Sequence, residues 1–595
     1  MDAALAACPG AVVSARRSSA AGRRAAPGHQ RRARLPCGNS RISRRGRGQL
    51  MAGADLLHAV EGLAGDRPEA VAQYHPVGRG RYEAVTYHRL REGFDYYAAA
   101  LARAGVVPGM RACLMVPPGP DLTAVMGALT RLGAVPVLID PGLAPAAVRS
   151  ALAETRPQAF IGVAKAHVAR LLLGWGRGTV RLPLLVGAGP AFLGAPLRRL
   201  RGTTGISGPS GNAEGREAPG LVAFTSGSTG PPKPASYNPG NLMAQFRMAG
   251  HMAGLPPGTV ALSTLPPFSL AGSAMGLSMV VPDMNFLRPA SADPAVLAGE
   301  ICRFDVAAVF ASPVVLERLS AYCAQHSRLL KPVRTVLSGG ASLAPRTAEK
   351  LLACLPAQAR LLSCYGATES MPISVLGHHD LLGDARCGSR RGWGSCVGVP
   401  LPDNNVRIIR IANGPIAEWD YSLLVAPGEI GEITVAGPGT SSAYDGQPQN
   451  TALAKIRDGK QIVHRMGDAG RFDEQGRLWF CGRVSQRVRT AHGEVFTEQA
   501  EAVANTVPGV RRCGLVGTGP AGTQLPVLCV ETERRLRGAQ RRKAVTDTLA
   551  LMQGIPHLAG IKQVLFHPGL PVDIRHNSKI NHPALAVWAA RKIRG

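Results

Sequence analysis

Acidic side chains are scarce in this chain: 39 Asp and Glu stand against 68 Lys and Arg, a formal net charge of +29. Such an excess raises the question of nucleic acid, because clustered cations neutralise phosphates. The distribution argues against it. A dense set of arginines, from Arg16 to Arg47, sits in the first fifty residues with Asp2 as their only acid. The remaining excess is spread along the chain, away from aromatics, which make up only 5% of residues. Zinc-finger, helix-turn-helix and RNA-recognition signatures are all missing, so no nucleic-acid partner is expected.

Long apolar runs are missing too. Nothing reaches the roughly 18 uninterrupted residues of a membrane-spanning helix. The stretch 127–144 comes nearest and is broken by Arg131 and Asp140. The opening residues lack the charged start of a secretory signal. The twelve cysteines form no CxxC pair and have no His partner at metal-ligand spacing. Reduced, partly buried thiols and a cytoplasmic location are therefore expected.

What is present is ordinary globular material, 45% hydrophobic and 18% charged. A length of 595 residues exceeds what one core usually serves. Residues 1–55 read as a disordered tail, a transit-type segment, or an untranslated stretch with Met51 as the true start. From Leu56 onward, short apolar runs alternate with helical stretches: 111–116, 134–139, 158–163, 221–225, 307–310, 333–337 and 360–364. That alternation predicts a mostly parallel α/β architecture, with ligands at the carboxyl ends of strands. Residues 201–220, rich in Gly, Ser and Thr, read as a surface loop. After Asp403 short alternating strands (406–411, 431–435, 478–480) predict a smaller β-rich subdomain. The division expected is a large domain over 56–481 and a small α+β domain over 482–595, joined near 482–486.

One segment carries chemistry on its face. The apolar run Leu221–Phe224 leads into Thr225, Ser226, Gly227, Ser228, Thr229, Gly230, Pro231, Pro232 and Lys233. Glycines allow the backbone to approach a polyphosphate closely, while N–H groups and hydroxyls donate to its oxygens. Lys233 closes the loop with a compact positive charge. A Walker A loop is excluded, because Pro232 and Pro234 flank this lysine where Gly and Ser or Thr would be needed.

This segment closely resembles the phosphate loop of the adenylate-forming superfamily, which includes acyl-CoA synthetases, adenylation domains and luciferase-like enzymes. The resemblance spans nearly everything after residue 56, and other motifs follow in order. It implies that Gly340 and Ala341, in the run Ser338–Ala341, contact adenine. In Tyr365-Gly366-Ala367-Thr368-Glu369, the Tyr would stack on adenine, Thr368 would contact phosphate, and Glu369 would help hold Mg²⁺ with Thr229. Gly428–Glu432 resembles a structural turn. Asp468, in Met466-Gly467-Asp468, would bind the ribose hydroxyls; Arg483, in Gly482-Arg483, would sit at a hinge; and Lys579 stands where the superfamily places a catalytic lysine. ATP and Mg²⁺ are the implied cofactors, Lys579, Thr229 and Glu369 the implied catalytic residues.

Longer stretches are similar to one branch, the β-lactone-forming enzymes of bacterial long-chain olefin biosynthesis. These are Val281–Met284, His464–Asp468, Leu478–Arg483, Leu565–Pro568 and Pro571–Ile580. That resemblance implies a hydrophobic long-chain 2-alkyl-3-hydroxy acid as substrate. It also implies adenylation with release of pyrophosphate, ring closure with release of AMP, and a complex with other enzymes of that pathway. A long-chain fatty-acyl-CoA ligase and a free-standing acyl-AMP ligase are the alternatives. Departures from the wider pattern are Pro234 for a glycine, Met466 for a threonine, Ser485 for a charged hinge residue, and Pro267-Phe268-Ser269 without the usual histidine. Apolar pocket residues are expected within 268–284 and 310–315.

Overall fold

Runs rich in Val, Ile and Leu, punctuated by Gly and Pro, form strands that begin within about two residues of where the sequence predicts them, though Arg360–Ala367 and Leu478–Arg483 run on past their expected ends. The computed structural model describes residues 56–78, 80–140, 142–200, 220–225, 232–533, 536, 538–572 and 579–594. The expected tail, the loop at 201–219, the phosphate-loop residues Ser226, Gly227, Ser228, Thr229, Gly230 and Pro231, and residues 573–578 lie outside these. All described residues belong to one compact unit, Leu50–Gly595.

Among the described residues, two large sheets dominate. The first runs, in spatial order, 443–444, 234–237, 221–224, 135–138, 111–115, 159–162, 182–185 and 195–196. The strands Val135–Leu138, Arg111–Met115 and Ala159–Gly162 pair in parallel, with helices such as Pro120–Arg131 returning the chain. Leu221–Phe224 joins them in parallel, then pairs antiparallel with Pro234–Tyr237. The glycine-and-hydroxyl stretch therefore leaves the carboxyl end of a strand in a parallel sheet, the usual ligand edge. The following helix, Pro239–Ala253, is started by a reciprocal cap. Asn238 accepts from the Asn241 amide while Asn241 accepts from the Asn238 amide, and Pro239 occupies the first turn.

The second sheet has fourteen strands. Val260–Ser263, Ala308–Ala311, Thr335–Ser338 and Arg360–Ala367 pair successively in parallel. Arg360–Ala367 then folds back on Ser370–Gly377, and the remainder is antiparallel out to Asn405–Ile409. The β-rich part is thus a continuation of this sheet and starts at Ser370, before the change of texture at Asp403. A local hairpin, not a composition shift, marks the change.

Residues after Arg483 build their own small layer. Val510–Thr518, Leu525–Thr532 and Gln563–Phe566 form a three-stranded sheet against helices that include Thr497–Ala504 and Gly538–Gln553. Val503, Leu515, Leu528, Met552 and Leu558 fill its core. Each such side chain, fully buried, contributes on the order of 1.5–3 kcal/mol. The link from the large sheet is shorter than the sequence suggests. Arg483 is still a strand residue, paired with Asp468, and only the single turn Val484–Gln486 intervenes.

Candidate active site

The base of the phosphate loop is tied by its own ends. The Thr225 amide donates to the Lys233 carbonyl at 2.9 Å, and the Lys233 amide donates to Thr225 Oγ1 at 3.2 Å. Lys233 projects its ammonium 5.2 Å from the Tyr444 ring centre. Tyr444 lies on Ala443–Tyr444, which pairs with Pro234–Tyr237, so sheet register brings this ring beside Lys233. Its hydroxyl donates to Glu369 Oε1 at 2.5 Å. Glu369 is buried at the turn of the 360–377 hairpin, and its carbonyl accepts from the Ser441 amide at 2.8 Å. The preceding Thr368 carbonyl accepts from the Tyr237 hydroxyl.

A second group lies on the adjoining strands. Tyr365 donates its hydroxyl to Asp468 Oδ2 at 2.6 Å, and Arg483 Nη1 stands 2.9 Å from Asp468 Oδ1. Asp468 and Arg483 face each other directly across two antiparallel strands. Arg483 also donates to the Met466 carbonyl, so the residue that replaces the usual threonine serves through its backbone. Phe480 flanks the Tyr365 ring at 6.3 Å. Gly340 and Ala341 follow Thr335–Ser338, whose Ser338 pairs with Ser363 two residues before Tyr365; Gly340 has φ +94°, which suits glycine.

The charges are mutually dependent. Burial lifts the Asp468 carboxyl above its ordinary range, while Arg483, Tyr365 and the Lys579 ammonium pull it down. Arg483 in turn is raised chiefly by Asp468, so the pair holds both charged forms and the upward shift of Asp468 reflects burial. Lys579, distant in sequence, is therefore within electrostatic reach of Asp468. Burial and the Asp468 charge push the Tyr365 hydroxyl well up, so it remains a donor.

Motif reading missed four members of this constellation: Tyr444, Ser441, Lys455 and His464. Lys455 is buried, donates to the Ser441 carbonyl at 2.6 Å and Oγ at 3.0 Å, and is pushed down to about 7 by burial against the opposing pull of Glu369. His464 is held neutral by burial and by Lys455, Lys233 and Arg483. Lys455 lies in a run, Thr451–Ile456, that carries no polar spacing, and nothing local marks it. Of the expected pocket residues, Phe268 stacks on Phe310 with ring centres 5.2 Å apart.

The arrangement offers one buried carboxylate with a phenol donor (Glu369), a second bridged by a guanidinium (Asp468), ammonium groups at 233 and 579, and at 455 an amine that burial shifts toward its neutral form. Among the described residues no group of three or more His, Cys, Asp or Glu gathers for a metal. Mg²⁺ typically takes one or two carboxylates together with phosphate oxygens, and Glu369 fits that pattern.

A family model described as AMP-binding enzyme matches residues 60–445. The chain belongs to the AMP-binding enzyme family. Among curated relatives, it is 44% identical over 544 residues to the olefin beta-lactone synthetase of Stenotrophomonas maltophilia, covering 89% of this chain and 97% of that one. It is 40% identical over 557 residues to that of Xanthomonas campestris pv. campestris, covering 92% and 99%. Solved structures share the fold. The amide bond synthetase from Marinactinospora thermotolerans superposes with a TM-score of 0.72 at 23% identity, over 90% of this chain and 99% of that one. The O-succinylbenzoate coenzyme A synthetase from Bacillus subtilis, in complex with ATP and magnesium ion, gives 0.68 at 17%, over 89% and 98%. This AMP-binding enzyme is thus an AMP-forming ligase or synthetase that acts on a carboxylic acid, and none of its described helices is long and apolar enough to cross a membrane.

Proposed function

We propose that this enzyme adenylates a long-chain 2-alkyl-3-hydroxy acid with ATP and closes the product to a β-lactone. The observation that carries the reading is the cluster of Tyr365, Asp468 and Arg483, with the Lys579 charge acting on Asp468, beside Glu369 and the tied ends of the phosphate loop. The names of the two relatives above support the branch.

Carboxylate and nucleotide repel one another, so cations must screen their approach. Lys233 and Lys579 supply that charge, Asp468 orients the ribose through its hydroxyls, and the Tyr365 ring takes the adenine face. Mg²⁺, held by Glu369 and Thr229, would neutralise phosphate charge. A substrate carboxylate oxygen bonds to the α-phosphorus, and the bond to the β-phosphate bridging oxygen breaks, releasing pyrophosphate. The substrate's own 3-hydroxyl oxygen then bonds to the activated carbonyl carbon. AMP leaves with the electron pair and the hydroxyl proton passes to solvent. Nucleophile and electrophile share one molecule, so no second acceptor is needed.

On this reading residues 482–595 form a lid that turns about 484–486, and the enzyme works in the cytoplasm beside other olefin-pathway enzymes. The test is mass spectrometry of products from a 2-alkyl-3-hydroxy acid with ATP and Mg²⁺ and without coenzyme A. A product lighter than the acid by one water, formed over many turnovers, is expected. Turnover only when coenzyme A is added would reject lactone formation in favour of the ligase.

A further inference from the structure

On the first sheet, away from the site, the helix Ala164–Leu173 turns one side inward and anchors it with His167, which is fully buried and bonds through Nε2 to the Leu184 carbonyl. A surface helix usually presents polar residues on its outer side. This one presents Val168, Leu171 and Leu172, and Leu172 is 80% exposed. Phe192, on the adjacent turn Ala191–Leu193, is also 80% exposed. Beside Leu171 and Leu172 runs a groove of about 600 Å³, lined by Leu152 and Leu173 and flanked by Arg149 and Arg177.

Along this stretch of chain the charge has one sign. Between Arg156 and Leu200 the chain carries Lys165, Arg170, Arg177, Arg181, Arg198 and Arg199 and no Asp or Glu. Lys165, Arg177, Arg181, Arg198 and Arg199 are exposed. Protruding Leu and Phe on an acid-free basic stretch of chain match an interface that is negative at its surface and apolar just beneath. A lipid surface satisfies both at once, phosphates for the arginines and acyl chains for the two exposed apolar side chains.

We propose that the face formed by Ala164–Leu173 and Ala191–Leu193 docks on an anionic lipid surface, inserting Leu172 and Phe192 among acyl chains while the arginines meet headgroup phosphates. Such docking does not depend on which acid the enzyme activates. It also suits a substrate with two alkyl chains, which would partition into the same phase.

The test is co-sedimentation of the full chain with phosphatidylglycerol–phosphatidylcholine vesicles and with phosphatidylcholine vesicles alone, at physiological salt. The wild type should bind the anionic vesicles and not the neutral ones. Leu172→Ser with Phe192→Ser should cut the bound fraction about 10-fold or more. Both side chains are exposed, so the variant should keep wild-type pyrophosphate release with a short soluble acid. Failure of the wild type to bind, or binding undiminished in the double variant, would overturn the proposal. The second outcome would leave general positive charge, including the arginines before Met51, as the cause.

Discussion

Lys455 is an amine held where water scarcely reaches, and its anchoring and its charge pull in different directions. Through Ser441 it secures the backbone of Glu369, and when protonated it adds to the cationic field of the site. Holding that charge in the interior costs stability. Burial lowers its pKa from 10.5 to about 7, so the folded chain favours the neutral amine. The resulting contribution to stability is present above pH 10.5 and is lost as pH falls through about 7. Lys455→Met should therefore raise the melting temperature at neutral pH, with a gain that shrinks as pH approaches 10.5. Its adenylation rate should fall about 10-fold as the Ser441 anchor is lost. Thermal melts across that range, with pyrophosphate release, read both; a loss of stability at neutral pH would refute the account. Asp468, Tyr365 and Glu369 were legible in the sequence because each sits in a short, ordered signature. Lys455 and Tyr444 were not, because they enter the site by sheet register: Tyr444 through the pairing with Ala235, Lys455 through that with His464.

At the scale of elements, the turn at Gly392 holds the C-terminal layer to the large sheet. The Gly392 carbonyl accepts from Gln499 Nε2 at 2.8 Å and from His557 Nε2 at 2.9 Å, and Ser395 donates to Glu498 at 2.6 Å. Gly392 has φ +75°, and a Cβ there would lie 3.0 Å from His557 Nε2, so only glycine offers this carbonyl to both donors. Each bond contributes roughly 1 kcal/mol. Gln499→Ala with His557→Ala should reduce adenylation about 10-fold and speed limited proteolysis at 484–486. Unchanged rates in both assays would show that the turn does not hold the layer. The strands around this turn could be read from their Val, Leu and Ile content. The clasp could not, since it depends on one carbonyl meeting side chains more than a hundred positions away.

For the molecule as a whole, Arg346 and Glu533 form an exposed ion pair, 2.9 Å apart, between the two parts. Such a pair adds little stability but marks a place to tether them. In a Cys302→Ser background, Arg346→Cys and Glu533→Cys joined by a flexible bismaleimide should preserve acid-dependent pyrophosphate release. Loss of release on tethering, restored by a cleavable linker, would mean that the arrangement with Lys579 near Asp468 is not the adenylating one. The parallel sheets were legible because each strand is a buried apolar run closed by turn residues. The single fourteen-stranded sheet was not, since the hairpin at 360–377 carries no break in composition.

One consequence follows from the hairpin of Gln461–Phe472 and Leu478–Arg483. Its first strand carries Asp468, its second carries Arg483, and the chain leaves for the C-terminal layer one residue later. On the proposed reading, energy that a bound nucleotide adds to the Asp468–Arg483 bridge would act on the strand end from which the chain leaves for the C-terminal layer. By thermodynamic reciprocity, fixing that strand end would alter nucleotide affinity by the same factor. A lid that turned about 484–486 would then make grip and swing two readings of one coupling.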